Sequence, residues 1–139
     1  MVETTIAFEL VSPEKLLLSE PVQMVVVPGG LGDFGVMSGH APMISTVRPG
    51  TICVFEGGQV LSRIFVNGGF AEVTPERCTV LAEEAVPLDE LDQGELEQQV
   101  RNLGEDLEDA KDEQARAHIE AQLTTTRAML DAVAAPAYQ

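Results

Sequence analysis

Residues 51–82, TICVFEGGQVLSRIFVNGGFAEVTPERCTVLA, decide the fold class of this chain. Two apolar runs rich in β-branched residues, 51–55 and 60–66, flank the sequence EGGQ at 56–59. Paired glycines between such runs supply the positive φ angles that a tight hairpin turn requires. The first half of the stretch therefore predicts two antiparallel strands joined by a short turn.

The same pattern extends to both sides of this hairpin. Downstream, residues 70–73 and 78–82 flank TPER at 74–77, a candidate type I turn with proline at its second position. Upstream, the apolar run 22–27 stops at PGG, 28–30, which is a strong turn signal. A half-buried strand is indicated by the alternating apolar residues Ile6, Phe8 and Leu10. Many short strands with frequent turns predict an all-β sandwich or barrel.

The hydrophobic period changes after Pro87, where apolar residues begin to recur at intervals of three to five, as on one face of a helix. The first series is Leu91, Leu96, Val100, Leu103, Leu107 and Ala110; the second is Ala115, Ile119, Leu123, Thr126, Leu130 and Val133. Leu88-Asp89 offers a cap, and the polar stretch 111–113 offers a short link. We therefore predict a β-sandwich at residues 1–86 followed by an antiparallel α-helical hairpin at 87–139.

This hairpin is expected to be only marginally stable. Gly94 and Gly104 lie inside the first predicted helix, and each costs about 1 kcal/mol relative to alanine. Ala115 and Thr126 are small, so the seam between the two helices is thin. The hairpin is therefore a candidate for an element that rearranges or detaches.

Charge and composition exclude several classes of function. The net charge is −15, and 13 of the 23 acidic residues fall after residue 86. Such a surface repels nucleic acid and anionic lipid, and five Phe, one Tyr and no Trp leave little for base stacking. No apolar run approaches the roughly 18 residues of a spanning helix. Cys53 and Cys78 lie in apolar runs that favour buried reduced thiols, with a single bridge as the alternative.

The glycine-rich segment 28–42, PGGLGDFGVMSGHAP, is the densest motif, and it does not carry a catalytic constellation. No Gly-Lys-Ser/Thr follows and no helix is predicted after it, which excludes a phosphate-binding loop. Asp33-Phe34-Gly35 matches a kinase tripeptide by coincidence, because the other kinase motifs are missing. His40 has no orienting carboxylate or oxyanion hole, so a structural hydrogen bond and a partner contact both stay open. No catalytic, cofactor-binding or metal-binding residues are predicted.

An ordered set of motifs resembles the epsilon subunit of bacterial F-type ATP synthases over nearly the whole sequence. These motifs are VSPE at 11–14, GDFG at 32–35, GHAP at 39–42, RPG at 48–50, VNGGFAEV at 66–73 and TVLAE at 79–83. The resemblance implies a non-catalytic central-stalk subunit that couples rotation of the c-ring through the gamma subunit to ATP synthesis. It would meet the alpha and beta subunits of F1 and would reach the cytoplasmic face of the bacterial inner membrane only through the complex.

The resemblance also implies which residues contact gamma and the c-ring. They are Leu31, Gly32, Asp33, Phe34, Gly35, Gly39, His40, Ala41 and Pro42. The first group would form a turn facing the c-ring, with Asp33 as an exposed charge, and the second would lie near gamma and the ring. The competing interpretation is a free-standing β-sandwich adaptor or regulatory protein unrelated to the synthase.

The hairpin departs from relatives that bind ATP or inhibit hydrolysis. At Leu91-Asp92-Gln93-Gly94-Glu95, the glutamate stands where ATP-binding relatives carry arginine, and a carboxylate repels phosphate. The second helix carries Arg116, Arg127 and His118 against Glu120 and Asp131, too little positive charge to seek an acidic target. We expect no cofactor and only weak regulation of ATP hydrolysis.

Overall fold

The computed structural model describes residues 4–138, which form ten strands, one 3-10 turn and two α-helices. The strands are β1 Ile6–Val11, β2 Leu16–Val22, β3 Met24–Gly29, β4 Gly32–Val36, β5 Met43–Thr46, β6 Gly50–Glu56, β7 Gln59–Asn67, β8 Phe70–Val73, β9 Arg77–Leu81 and β10 Glu84–Pro87. After the 3-10 turn Leu88–Glu90 come α1 Gln93–Asp109 and α2 Glu113–Ala134. The predicted sandwich followed by a helical hairpin is confirmed.

The strands form two five-stranded sheets that pack face to face. Sheet A has the order β2-β1-β9-β8-β5 and sheet B has the order β10-β7-β6-β3-β4. All pairs are antiparallel except β1 with β9. Between the sheets lies the core, in which the largest fully buried members are Phe8, Ile6, Leu10 and Ile52. The alternation predicted for β1 is therefore confirmed, because its odd-numbered residues face outward.

The hairpin covers part of the outer face of sheet B, where it lies against β6 and β7. Cys53 and Phe65 point to that outer face and are fully buried. Cys53 and Cys78 are both free thiols and both buried, as predicted. In the helices the buried residues are Leu96, Leu123 and Thr126.

Two predicted turns are confirmed by their backbone geometry. Gly57 and Gly58, between β6 and β7, have φ values of 61° and 77°. Positive φ at both central residues matches the twist of the adjoining strands. Between β8 and β9 the Thr74 amide donates to the Arg77 carbonyl at 2.8 Å, with Pro75 between them.

Two predicted boundaries were wrong. The turn expected at PGG, 28–30, begins later, because β3 continues to Gly29 and the backbone reverses at Gly30-Leu31. Pro28 is tolerated in the strand because its carbonyl accepts from the Arg48 amide at 2.9 Å and its missing N–H is not needed there.

The first helix was predicted to be capped at Leu88-Asp89, but those residues form a separate 3-10 turn. Asp92 is the N-cap of α1, since its carboxylate accepts from the Glu95 amide at 3.0 Å. Asp112 caps α2 in the same way, accepting from the Ala115 amide at 2.7 Å. The three-residue gap between the helices keeps them antiparallel and adjacent.

Candidate functional site

Residues 31–35 occupy the β3–β4 end of sheet B, and only Leu31 belongs to the turn itself. Leu31 is fully exposed, whereas Phe34 points inward and packs against the core. Gly32 to Gly35 belong to β4, so the expectation that Asp33 lies in a turn was wrong. The side chain that projects from this end without a protein contact is therefore apolar rather than acidic.

Asp33 lies on the outer face of sheet B, and both of its carboxylate oxygens have a partner. Arg48 donates from Nη2 to Oδ1 at 2.5 Å and from Nη1 to the Gly29 carbonyl at 2.6 Å. The Tyr138 hydroxyl donates to Oδ2 at 2.7 Å. Burial alone would raise the pKa of Asp33, but the hydrogen bonds from Tyr138 and Arg48 and the charge of Arg48 outweigh it and lower the pKa. Asp33 is thus a paired, ionised group rather than a free surface charge.

Residues 39–42 lie at the opposite end of β4 from Leu31. The Gly39 amide donates to the Pro75 carbonyl at 2.8 Å, which ties this segment to the β8–β9 turn. His40 donates from Nδ1 to the Ala41 carbonyl at 2.7 Å, a bond within its own loop. Ala41 and Pro42 are exposed. The two predicted contact segments are therefore separate surfaces, about 17 Å apart for a five-residue strand.

The outer face of sheet A carries an apolar row that sequence reasoning missed. Across adjacent strands, Leu16 pairs with Val11, Val11 with Leu81 and Leu81 with Phe70. Leu16 and Phe70 are exposed, as is the neighbouring Ile44 on β5. The paired residues come from four different strands, so the row exists only once the register is known. We call these residues the sheet A row.

The C-terminal tail, residues 135–138, was also missed, because it has no periodic signal. After α2 ends, the tail reaches sheet B at β6 and β7. Arg63 donates from Nε to the Ala137 carbonyl at 3.0 Å and from Nη2 to the Tyr138 carbonyl at 3.2 Å. The Tyr138 ring meets Phe55 edge to face, with ring centroids 5.8 Å apart. Its hydrogen bond to Asp33, burial and the Asp33 charge raise the pKa of Tyr138.

An open cleft lies between the hairpin and sheet B, and polar side chains line much of it. They include Asn67, Glu84, Gln99, Asn102, His118 and Gln122. Within residues 4–138, no group of three or more His, Cys, Asp or Glu side chains is arranged to hold a metal ion. In the same part of the protein, neither helix has the length and hydropathy needed to cross a membrane.

Two family models match the sequence in succession. The model described as the β-sandwich domain of the ATP synthase delta/epsilon chain matches residues 5–88. The model described as the C-terminal domain of the ATP synthase epsilon chain matches residues 92–138. The class of protein defined by the sandwich and the hairpin together is therefore that of the ATP synthase delta/epsilon chains.

Two relatives, both ATP synthase epsilon chains, identify the family within this class. The ATP synthase epsilon chain of Rhodospirillum centenum is 61% identical over 132 residues, which cover 91% of this chain and 90% of the relative. The epsilon chain of Rhodospirillum rubrum is 56% identical over 117 residues, covering 84% and 87%. The chain belongs to the ATP synthase epsilon-chain family, and a place in the central stalk is consistent with that membership.

Two solved structures contain a subunit with the same fold. A subunit of the Euglena gracilis mitochondrial ATP synthase, in a structure of its OSCP/F1/c-ring, superposes with a TM-score of 0.81 at 26% identity, covering 96% of this chain and 84% of that subunit. A subunit of the Tetrahymena thermophila mitochondrial ATP synthase central stalk and c-ring has the same fold, with a TM-score of 0.60 at 12% identity over 96% of this chain and 99% of that subunit.

Proposed function

We propose that this chain is a non-catalytic rotor subunit that couples c-ring rotation, through gamma, to ATP synthesis. The observation that carries the proposal is the likeness over 96% of its length to a subunit from a structure containing F1 and a c-ring. The sandwich, residues 1–86, would make the rotor contacts, and the hairpin, residues 87–139, would supply at most weak regulation. The complex would hold the protein at the cytoplasmic face of the bacterial inner membrane.

The c-ring contact is proposed for the end of sheet B that carries residues 31–35. Leu31 projects fully into solvent there, and the backbone around it is held by the β3–β4 pairing. Asp33 supports this surface through Arg48, which fixes the Gly29 carbonyl at the base of the turn. Leu31 is thus the first side chain of the segment that a loop of the ring would meet.

The gamma contact is proposed for the Gly39–Pro42 segment and the sheet A row. The hairpin lies on sheet B against β6 and β7, so the outer face of sheet A is the large face of the sandwich that stays uncovered. Exposed Leu16, Ile44 and Phe70 would lose contact with water when a partner covers them, which favours association. Alpha and beta subunits of F1 would be reached through gamma.

Co-purification from membranes tests this proposal. A tagged full-length protein is expected to bring down gamma with the alpha and beta subunits. Phe70→Asp, in the sheet A row, should reduce gamma recovery at least tenfold, because a buried unpaired charge costs roughly 2 kcal/mol or more. Leu61→Asp is the matched control, since Leu61 is 64% exposed on β7 in sheet B.

Two results would contradict the proposed rotor role or the proposed gamma contact. A tagged protein that brings down none of these subunits supports the free-standing adaptor instead. Equal loss of gamma in Phe70→Asp and Leu61→Asp would remove the sheet A row from the interface while leaving the family membership intact.

A further inference from the structure

The contact between hairpin and sandwich has very few polar links. Within residues 4–138, three hydrogen bonds join the part after Pro87 to the sandwich, and all three involve the tail: Arg63 donates two to tail carbonyls, and Tyr138 donates one to Asp33. Neither of the salt bridges among those residues joins the hairpin to the sandwich. Thr126, buried at the interface, donates to Gln122 within its own helix and so adds no link.

Charge works against the packed arrangement. Residues 1–86 carry 10 acidic and 4 basic side chains, and residues 87–139 carry 13 acidic and 4 basic ones. Two net-negative bodies repel each other, so charge opposes the apolar packing of the hairpin over Cys53 and Phe65. Arg63 and Arg48 supply cations at the point where the tail arrives.

Tyr138 has a backbone conformation that an unconstrained peptide rarely adopts. Its φ is 57°, the left-handed region, which non-glycine residues seldom occupy without support. Three groups hold it there: Phe55 against its ring, Arg63 at its carbonyl and Asp33 at its hydroxyl. The three contacting residues lie on three different strands of sheet B, and together they hold both the backbone and the side chain of Tyr138.

We propose that the tail is a latch: Tyr138 and Ala137, bound by Asp33, Phe55 and Arg63, fix the helical hairpin on the outer face of sheet B. Within residues 4–138 these bonds are the direct polar links that cross the interface. Breaking them leaves only the apolar contact over Cys53 and Phe65 to hold the hairpin, so the hairpin detaches more often while both parts stay folded. Asp33 is shared between Arg48 and Tyr138, so the latch also joins the C-terminal tail to the β3–β4 end.

Hydrogen exchange on the full-length protein tests the latch. Tyr138→Phe keeps the ring on Phe55 and removes only the bond to Asp33, and Arg63→Gln removes the bonds to the tail carbonyls. Since bonds involving charged groups are lost, amides at 123–134 should exchange roughly tenfold faster in each variant. Arg116→Gln is the matched control, because Arg116 donates to the Leu107 carbonyl within the hairpin.

Exchange in β1 and β9 reports whether the sandwich stays folded in each variant. Should Arg63→Gln unfold the sandwich, the isosteric Tyr138→Phe decides the question. Unchanged exchange at 123–134 in Tyr138→Phe, or an equal rise in Arg116→Gln, would overturn the latch.

Titration of the tyrosine supplies an independent readout. Tyr138 is the single tyrosine and the sequence has no tryptophan, so the tyrosinate absorbance reports on this residue alone. In the unaltered protein the midpoint should lie above the ordinary 10.0, and Asp33→Asn should return it toward that value. Glu72→Gln, on β8 of sheet A, is the control and should leave it unchanged. An ordinary midpoint in the unaltered protein would show that the tail is not bound to Asp33 in solution.

Discussion

Gly69 is a residue at which the neighbouring backbone leaves no room for a side chain. It has a φ of 106°, and a Cβ built on it would lie 1.8 Å from the Leu81 carbonyl oxygen. Gly69→Ala should therefore lower the free energy of unfolding by about 3 kcal/mol, since β8 must move away from β9. Urea unfolding measures this loss. Gly58→Asn, also at positive φ but with nothing within 4 Å, should change it by less than about 1 kcal/mol.

The buried thiol of Cys78 makes the stability of the sandwich depend on pH in the alkaline range. Burial between the sheets raises the pKa of its thiol from 9.0 to about 12. Because the folded state favours the neutral thiol, Cys78 makes its full contribution to the free energy of unfolding below pH 9.0. That contribution is lost as the pH rises toward 12. In a Tyr138→Phe background, where no tyrosine titrates, unfolding free energy should fall over that window. Cys78→Ala, less stable throughout, should show a shallower fall; an identical slope would contradict the assignment.

Residues whose role depends on distant partners could not be predicted from the sequence. Asp33 was expected to be an exposed charge in a turn, but it lies in β4 and pairs with Arg48 and Tyr138, which are 15 and 105 positions away. By contrast, the glycines at 57 and 58 were predicted correctly, because a hairpin turn is specified by neighbouring residues. Local conformation could therefore be predicted from the sequence, whereas pairing between distant residues could not.

At the scale of elements, the hairpin helices contain a position that limits stability. Gly104 lies inside α1, and nothing lies within 4 Å of a Cβ added there. Gly104→Ala should stabilise the helix by about 0.5–1 kcal/mol, because alanine loses less backbone entropy on folding. Thermal unfolding followed by the helical circular dichroism band measures the gain. Gly94→Ala should gain less, since its Cβ would come within 3.3 Å of the Asp92 carboxylate that caps α1.

The elements themselves were predictable to the extent that their signals are periodic. Alternation located β1, and the three-to-five spacing located both helices. The exceptions were boundaries: β3 runs past Pro28, and Asp92 rather than Leu88-Asp89 caps α1. Strand order and the parallel β1–β9 pair join residues about 70 positions apart, and no local pattern encodes such a pairing.

At the scale of the whole molecule, local sequence determines the properties of the hairpin, whereas the assembled sheets determine where it lies. Its acidic faces and its apolar seam follow from the sequence, whereas its position on sheet B depends on Cys53 and Phe65 beneath it and on the tail beyond it. The sheet A row likewise appears only when four strands are in register.

The hairpin is expected to be a weak nucleotide sensor and a weak inhibitor, for reasons of charge. The start of α1 presents Asp92 and Glu95, with Asp89 and Glu90 in the preceding turn. Carboxylates there cancel the attraction of a helix N-terminus for phosphate. Calorimetry should detect no ATP binding at concentrations below about 1 mM, the regime of weak affinity. Glu95→Arg, which replaces the repelling charge with a cation, should bind more tightly; strong binding by the unaltered protein would contradict this account.

Deletion of residues 88–139 in the assembled complex tests inhibition. Along α2, Arg116 and Arg127 oppose Glu113, Glu120 and Asp131, so an acidic surface would gain little from the helix. Removing the hairpin should therefore change ATP hydrolysis only a few-fold, about 1 kcal/mol in activation free energy. The deletion uncovers Phe65 and Cys53, so circular dichroism must first show a folded sandwich. A rise in hydrolysis of tenfold or more would mean that the hairpin inhibits by shape and apolar packing, independently of its charge.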